Sequence, residues 1–417
     1  MTSLLRRIAI DVTPLRESRP FRRLWSGLAV STIGSQFTVV AVFVQLTSLT
    51  GSEVAVGASG LAYLGGLVAG TLGFGPIIDA WDRRRLLVMA QLGAMTGVAT
   101  LLGASTMSAP PLPLIYLGLA ISACASALDS PTRTAMTPRL LGADLIPSAQ
   151  ALNQVVWNGA GLVGPAIAGV LIGAAGLTTA YVVDLLSIVV MLVAALSLPP
   201  MPPLDRGAHT AGVAAIREGF AFASDSRLIR STFVIDLVAM IFGSPRALYT
   251  FLIVEEFGRS VELVGLLFAA PAVGALIGAL ASGWTRRVRT QGSAVVVAVM
   301  AWGVAIALFG LSGPNLVVGL IALAAAGWAD VISAIFRSTI LQLAVPDRLR
   351  GRLSGIHILV VTGGPRLGDL EAGIVARLST PAISVVSGGL ACIVGAWAVW
   401  ARYPELRRYR APSEQQA

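Results

Sequence analysis

Several apolar stretches of this sequence contain ionisable side chains whose spacing could support proton transfer or the binding of a charged solute. Asp129 and Arg133 stand four residues apart, a spacing that brings two side chains onto one face of a helix. Asp330 precedes Arg337 by seven residues, or about two helical turns. Because charged groups are costly in an apolar environment, each of them is expected to face a cavity or a partner.

Another apolar stretch, from Gly363 to Gly373, holds three charges among glycines. Arg366 and Asp369 are three residues apart and can pair, which leaves Glu371 without a cationic partner in this stretch. A carboxyl group that no cation neutralises is a candidate proton carrier. The alternative is an ordinary ion pair between Glu371 and an arginine of another helix.

The same two interpretations apply to Asp129 and Arg133, which can take part in coupling or simply form a salt bridge within their helix. Asp184 and Asp236 are weaker candidates. For Asp236, which follows an interfacial segment, the alternative is a position near the surface. The candidates for contact with a substrate are Arg133, Arg337, Asn153, Arg246 and Arg366, and those for proton coupling are Asp129, Asp369, Glu371 and Asp330.

The elements that must position these side chains are membrane-spanning helices. The chain has 417 residues, of which 55% are hydrophobic and only 12% are charged, whereas a soluble domain has about 25% charged residues. A helix needs about 20 apolar residues to span a bilayer. Twelve such runs are predicted, at about 24–48, 54–78, 86–107, 113–137, 147–173, 177–198, 232–253, 262–284, 292–312, 314–342, 354–376 and 381–401. A break is expected in the seventh run, at Gly243-Ser-Pro245.

The loops between these runs alternate in charge. Arginines concentrate in every second loop, for example at 83–85 and 286–289, and the loops between them hold a few acidic residues or no charge. Arginine-rich short loops are typically cytoplasmic. An even number of spans with both termini on the arginine side is self-consistent, so both termini are expected in the cytoplasm of a bacterial-type cell, with the spans in its inner or plasma membrane.

The chain is also predicted to consist of two matching halves. A proline-rich break at 198–205 separates a first six-helix bundle (1–200) from a cytoplasmic linker (201–230), which contains a short amphipathic helix at 213–222. A second six-helix bundle and a tail follow at 231–417. A shift of 204 residues sets Arg133 on Arg337 and Gly164 on Gly368. The fold class is therefore an all-α polytopic membrane protein with twelve transmembrane helices in two pseudo-symmetric bundles, an architecture typical of transporters.

Several other classes of function find little support in the sequence. The net charge of +9 comes in short clusters without an aromatic-lined basic face, so nucleic acid is not an expected partner. No phosphate-binding loop follows a strand, which argues against ATP as the driving force. No metal-ligand cluster and no nucleophile–base pair stands out, so we expect neither an enzyme nor a metal nor a cofactor.

Two motifs resemble those of the major facilitator superfamily. Gly75-Pro-Ile-Ile-Asp79-Ala-Trp-Asp82-Arg83-Arg84 is similar to the cytoplasmic motif between helices 2 and 3, although Ala80 replaces the usual basic residue and Asp82 the usual glycine. The resemblance implies a gating role for Gly75, Asp79, Arg83 and Arg84. The helix-packing motif Gly164-Pro165-Ala-Ile-Ala-Gly169 resembles one associated with exporters that exchange drugs for protons, with Ala160 where a further glycine is usual.

More narrowly, three stretches resemble the branch of that superfamily that contains the enterobactin exporter. They are Ser130 to Pro138, Gln150 to Asn153, and Gly327 to Arg352. This resemblance implies alternating access by rocking of two six-helix bundles, driven by a proton gradient.

The function predicted from residues and resemblance together is proton-coupled secondary active export of a siderophore such as enterobactin or a related catecholate. The alternatives are a multidrug or macrolide efflux antiporter of the same fold and, from another class, a membrane receptor that does not transport. The expected partners are a small-molecule substrate, protons and membrane lipids.

Overall fold

The computed structural model describes residues 11–203, 221–345 and 347–410, and within them every side chain except those of residues 75, 76, 78, 79, 143, 286, 347–356, 358 and 359. In these ranges all regular elements are helical. The α-helices are α1 (Thr13–Glu17), α2 (Arg19–Thr50), α3 (Glu53–Ala80), α4 (Arg83–Ser105), α5 (Leu112–Leu140), α6 (Ile146–Ala175), α7 (Leu177–Leu196), α8 (Arg227–Phe242), α9 (Tyr249–Glu255), α10 (Val264–Leu280), α11 (Gln291–Gly310), α12 (Leu316–Ala344), α13 (Asp347–Leu378), α14 (Pro381–Arg402) and α15 (Pro404–Arg408).

Eleven segments of the described chain are long and apolar enough to cross a membrane. Each overlaps most of one predicted apolar run, and α8 and α9 form one segment, Arg227–Glu255. The predicted run 354–376 lies in α13, which has 32 residues but also eight acidic and basic residues, at 347, 348, 350, 352, 366, 369, 371 and 377. The number of long helices therefore matches the predicted twelve, and α13 differs from the others in its charge.

Local sequence signals fix where several helices begin. Asp82 caps α4 by accepting a hydrogen bond from the Arg85 backbone N–H at 3.1 Å. Asn315 caps α12 by accepting from Val318 at 3.2 Å, and Thr380 caps α14 by accepting from Ile383 at 3.2 Å. These side chains satisfy backbone donors that have no partner within the first helical turn.

The chain divides into two compact units. The first comprises residues 1–42 and 62–209, and the second comprises 43–61 and 210–417. The predicted bundle and linker boundaries remain a prediction, and the predicted amphipathic helix at 213–222 falls largely on residues outside the described ranges.

In the first unit, α4 packs against α5 and α7. One core cluster joins Leu24, Leu87, Met136, Met191 and Leu198, which come from the beginning of α2, from α4 and α5, and from the end of α7. The turn between α6 and α7 is a single residue, Gly176, with a φ of 83°. Because L side chains rarely adopt that conformation, glycine permits the abrupt reversal.

The second unit contains the predicted helix break. A 3₁₀ turn, Arg246–Leu248, separates α8 from α9 just after Pro245. The carbonyl of Gly243, freed by the break, accepts a hydrogen bond from the Trp302 indole N–H at 3.1 Å. The break thus turns the backbone beside Arg246 without leaving that carbonyl unsatisfied.

The hairpin 43–61, which belongs to the second unit, packs closely on α13. A Cβ atom added to Gly57 would collide with the backbone carbonyl of Asp369, and one added to Gly60 with that of Arg366. Small residues allow this close approach of two helices. The hairpin therefore holds the backbone that carries two of the predicted site residues.

Candidate functional site

Asp129 and Arg133 on α5 form the predicted pair in the first unit. Arg133 Nη2 lies 2.5 Å from Asp129 Oδ2, and Arg133 Nε donates to the same oxygen at 2.8 Å. The other carboxylate oxygen accepts a hydrogen bond from Gln91 Nε2 at 2.9 Å. Both side chains are less than one-fifth exposed. The pair is therefore mostly buried and locally neutral.

Arg133 also lines a cavity of about 190 Å³ that lies entirely within the first unit. Three helices contribute one face each, with residues at i, i+3, i+4 and i+7 in every case. The α2 face is apolar and aromatic and consists of Phe21, Leu24, Trp25 and Leu28.

The other two walls of this cavity are mainly polar. The α5 wall consists of Ser130, Arg133, Thr134 and Thr137, and the α6 wall consists of Gln150, Asn153, Gln154 and Trp157. The structure thus brings together two of the predicted substrate contacts, Arg133 and Asn153. We call this the first-unit pocket.

Two tryptophans, Trp25 and Trp157, provide aromatic surface in the first-unit pocket. The indole Nε1 of Trp25 is buried and has no hydrogen-bond partner among the described residues. Trp157 is 53% exposed. A buried indole N–H ordinarily finds an acceptor, so a bound molecule with an acceptor oxygen would complete this wall.

Arg337 lies in a second charged cluster, on α12 in the second unit. Its Nη2 is 3.0 Å from Asp236 Oδ1 on α8, and the two side chains are 3% and 1% exposed. Its Nη1 donates to Ser333 Oγ at 3.0 Å. Asp330 Oδ1 is 3.8 Å from the same Nη2.

This cluster decides between the two positions considered for Asp236. Asp236 does not lie near the surface, because α8 turns its carboxylate inward to neutralise Arg337. Arg337 is almost completely enclosed in this structure. Its predicted contact with substrate stays a prediction.

A third cluster surrounds Asp369 on α13. Arg246 Nη2 lies 3.5 Å and Arg366 Nη1 3.8 Å from Asp369 Oδ2. Asp369 is fully buried, whereas the Arg246 side chain is 31% exposed. The pairing of Arg366 with Asp369 at i, i+3 is the predicted one. Glu371 is partly buried and has no hydrogen-bond or ion-pair partner within the described part of the chain.

The gating motif is described only in part. The side chains of Gly75 and Asp79 lie outside the described residues. Arg84 Nη2 donates to the Leu196 carbonyl at 2.6 Å, and the backbone N–H of Arg83 donates to the Met201 carbonyl at 2.9 Å. These bonds tie the beginning of α4 to the segment that follows α7.

Asp82, which stands where the superfamily usually has glycine, takes part in the same connection. While one of its oxygens caps α4, Oδ2 accepts the Met201 N–H at 2.6 Å. Arg139 Nη1 also donates to this segment, at the Pro202 carbonyl, at 2.7 Å. The departure from the motif therefore adds an anchor for residues 196–202.

We expect Asp82→Ala to destabilise the protein by about 1 to 3 kcal/mol, since it removes a helix cap and leaves the Met201 N–H without its acceptor. Asp82→Asn keeps an acceptor oxygen and should cost less. Apparent melting temperatures of the purified proteins in detergent measure both effects. Equal melting temperatures for the wild type and Asp82→Ala would show that this anchor contributes nothing.

The helix-packing motif on α6 lies against α2. A Cβ atom on Gly164 would stand 2.6 Å from the Cβ atom of Gln36, so only glycine fits there without movement. Pro165 lies inside the helix, and Gly169 is buried. Gly164 thus lies where α6 closely approaches α2, and the packing role of the whole motif stays a prediction.

A model of the transmembrane secretion effector family matches residues 9–415. The chain belongs to this family. The family is part of the major facilitator superfamily, so the resemblance drawn from the motifs is confirmed. The chain is an integral membrane protein of a transporter family and not an enzyme.

Curated relatives match over almost the whole chain. Enterobactin exporter EntS of Shigella boydii serotype 18 is 26% identical over 406 residues, which are 97% of both chains. Enterobactin exporter EntS of Escherichia coli O81 has the same identity and coverage.

Several solved structures of transporters share this fold. The nucleoside transporter NupG superposes with a TM-score of 0.74 at 16% identity, over 94% of this chain and 100% of its own. A bacterial homologue of ferroportin in an inward-facing state has a TM-score of 0.70 at 15% identity, over 94% and 99%. At these identities the likeness shows the fold alone.

Sequence reasoning missed several residues of the candidate sites. Gln150 and Trp157 share the α6 face of the predicted Asn153, and their helical spacing from it is a signal that could reveal them. Trp25 lies on α2, on an apolar face without a predicted site residue, so no such spacing indicates it. The partnership of Asp236 with Arg337 joins two distant helices, and no local spacing indicates it.

Proposed function

We propose that this protein is a proton-coupled secondary active exporter of a siderophore such as enterobactin or a related catecholate, and that it works by alternating access. The observation that carries the proposal is the first-unit pocket, which combines an aromatic wall with two hydrogen-bonding walls. The curated relatives named as enterobactin exporters, which match 97% of the chain, support the same cargo.

The size of the pocket suits one ring of such a cargo. A cavity of about 150 Å³ in another protein accommodates benzene, and this pocket has about 190 Å³. A dihydroxyphenyl ring would place its faces against Trp25 and Trp157. Its hydroxyl groups would bond to the side chains of α5 and α6, and an acceptor oxygen would satisfy the Trp25 indole N–H.

The charge of the pocket bears on the form of the cargo. Arg133 contributes a guanidinium group, but Asp129 neutralises it at 2.5 Å. The pocket therefore offers directed hydrogen bonds more than net positive charge. A catechol with its hydroxyl groups still protonated fits that environment better than a fully ionised one.

Proton coupling requires a carboxyl group that changes its protonation during the cycle. Asp129, Asp330 and Asp369 each lie within 4 Å of an arginine and so have an ion-pair partner. Glu371 has no such partner within the described residues. Of the four predicted proton-coupling residues, Glu371 is therefore the one we favour, with proton binding and cargo binding favouring different access states.

We expect Glu371→Gln to flatten the pH dependence of transport, because the amide has the size of the acid but does not take up or release a proton as the pH is varied. Initial rates of cargo movement in proteoliposomes, measured across a series of pH values, test this. Glu262→Gln, the same change near the beginning of α10, should leave the profile intact. A Glu371→Gln profile that matches the wild type would assign the proton to another group.

A multidrug or macrolide efflux antiporter is the second candidate, and one observation favours it. The local neutrality of Arg133 and Asp129, together with the exposed Trp157, would also suit a neutral lipophilic compound. Competition between such compounds and enterobactin for export separates the two candidates.

The proposed cargo is tested in cells that lack the protein. Loss of the gene should raise the amount of catecholate siderophore retained inside the cells and lower the amount released, and expression of the intact chain should reverse both changes. If cells that lack the gene release the siderophore normally but retain drugs, the cargo is a drug and the second candidate function applies.

A further inference from the structure

A buried carboxyl group lies within the first unit, between α2 and α7. Asp184 lies in the middle of α7, in the first unit, and is 2% exposed. The Thr38 hydroxyl of α2 donates to Asp184 Oδ2 at 2.5 Å. Ser187 Oγ lies 3.2 Å from Asp184 Oδ1. The side-chain hydrogen-bond partners of Asp184 in these contacts are thus two hydroxyl groups.

The backbones around this carboxyl group are closely packed. A Cβ atom on Gly34, one helical turn before Thr38, would collide with Ser187 Oγ and stand 3.1 Å from Asp184 Oδ1. Gly34 and Thr38 on α2 therefore face Asp184 and Ser187 on α7. The group is held between two helices with no room for a further side chain.

On the helices packed against Asp184, the sequence places cations only near the helix ends, away from this carboxyl group. No residue of α6 is charged, and on α7 Asp184 is the only one. On α4 the charges end at Arg85, in its first turn. On α2 the last is Arg23, fifteen residues before Thr38 and so about 22 Å away along the helix. The titratable neighbour is Tyr181, one turn earlier on α7 and also buried.

The remaining intramembrane cation of the first unit is already occupied. Arg133 on α5 is bound by Asp129 at 2.5 Å. An ionised Asp184 would therefore be buried without a counter-ion, a state with a large desolvation penalty. A neutral carboxylic acid avoids that penalty.

The hydrogen-bond pattern agrees with a neutral acid. A serine hydroxyl has one hydrogen, and Ser187 donates it to the backbone carbonyl of Asp184 at 2.7 Å. Ser187 Oγ is also within donating distance of Asp184 Oδ1, at 3.2 Å, but while its one hydrogen is on the nearer carbonyl its oxygen offers Oδ1 a lone pair. An acid O–H on Oδ1 would donate to that lone pair, whereas an ionised oxygen would be repelled by it.

We infer that Asp184 is a proton-binding site of the first unit, which holds a proton in the closed packing of α2 against α7 and releases it when water reaches the site. This inference rests on the proposed proton-coupled function. In the release step the Oδ1–H bond breaks and a water molecule accepts the proton. The carboxylate that remains is stable only while solvated, so release requires the α2–α7 contact around Gly34 and Ser187 to loosen.

The inference is tested first by transport in proteoliposomes, with enterobactin as the probe. Asp184→Asn keeps the size and an acceptor for Thr38 but carries no titratable proton. We expect its accumulation driven by an imposed proton gradient to be at least tenfold lower than that of the wild type. Its exchange of labelled for unlabelled enterobactin should stay within about twofold of the wild type. Asp184→Glu should restore part of the driven accumulation. Asp144→Asn, at an exposed turn of the same unit, is the matched control and should behave like the wild type.

The outcomes separate the inference from the proposed function. If the wild type shows no gradient-driven accumulation, the proposed proton coupling fails. If the wild type shows it and Asp184→Asn retains it, only the role of Asp184 is overturned. A purely structural hydrogen bond would lower exchange and accumulation together and would contradict the inference.

A spectroscopic measurement covers the case in which Asp184→Asn does not fold. Infrared difference spectra of the full-length wild-type protein, recorded between acidic and alkaline buffer without cargo, should show a carboxylic-acid carbonyl band that Thr38→Val shifts in frequency. Glu371→Gln should leave the Thr38-sensitive band in place. A wild-type spectrum with no titrating band that responds to Thr38 would overturn the inference.

Discussion

Asp236→Asn is expected to destabilise the folded protein by about 3 kcal/mol or more, which makes it the most damaging of the single substitutions considered. Asp236 lies 3.0 Å from Arg337, and both side chains are at most 3% exposed. Removing one partner of a buried ion pair leaves the other charge without compensation, at a cost of about 3 to 5 kcal/mol. The remaining carboxylate of Asp330, 3.8 Å away, places the expected effect near the lower end of that range.

The matched control for this prediction is Asp330→Asn. Its side chain is 37% exposed and its contact with Arg337 is longer, so its loss should cost less than about 1 kcal/mol. Both variants are compared with the wild type by apparent melting temperature and by the yield of monodisperse protein in detergent. A melting temperature of Asp236→Asn as high as that of Asp330→Asn would contradict the buried pair.

Arg133→Met is expected to lower transport by about ten- to a hundredfold. A hydrogen bond to a charged group contributes about 1.5 to 3 kcal/mol, and each 1.4 kcal/mol corresponds to a factor of ten. Arg133 lines the first-unit pocket while holding Asp129 at 2.5 Å. Its loss therefore removes a donor to the cargo and also leaves Asp129 unpaired. Initial rates of cargo movement in proteoliposomes measure the effect.

The double variant Asp129→Asn/Arg133→Met separates these two contributions. Because it contains no unpaired charge, we expect its abundance and melting temperature to recover towards those of the wild type. Its transport should stay low, because the guanidinium donors to the cargo are still absent. Recovery of transport together with stability would show that the pair is structural and that Arg133 does not contact the cargo.

The sequence predicted those parts of the structure that depend on local spacing. The pairing of Asp129 with Arg133 follows from a spacing of four and that of Arg366 with Asp369 from a spacing of three, and both pairs are present. The break at Gly243-Ser-Pro245 follows from the geometry of proline and is also present. Apolar run length predicted the helices, including α13 with its unusual charge.

The features that sequence could not predict depend on which helix faces which. The segment around Asp236 is compatible with a position near the surface. The carboxylate is nevertheless buried, because α8 packs on α13 and α14 and brings it to Arg337 on α12. The second bond of Asp82 reaches Met201, far along the chain. Spacing along one helix carries no information about such partners.

The central claim is that protons moving in one direction drive the cargo in the other. It is tested most directly by loading proteoliposomes that contain the full-length protein with buffer of one pH, diluting them into another with enterobactin present, and following its accumulation. We expect accumulation only while protons can flow down their gradient in the direction opposite to the cargo, with complete loss when a protonophore dissipates that gradient. Accumulation that persists in the presence of the protonophore, or a cargo that merely equilibrates whatever the gradient, would contradict it.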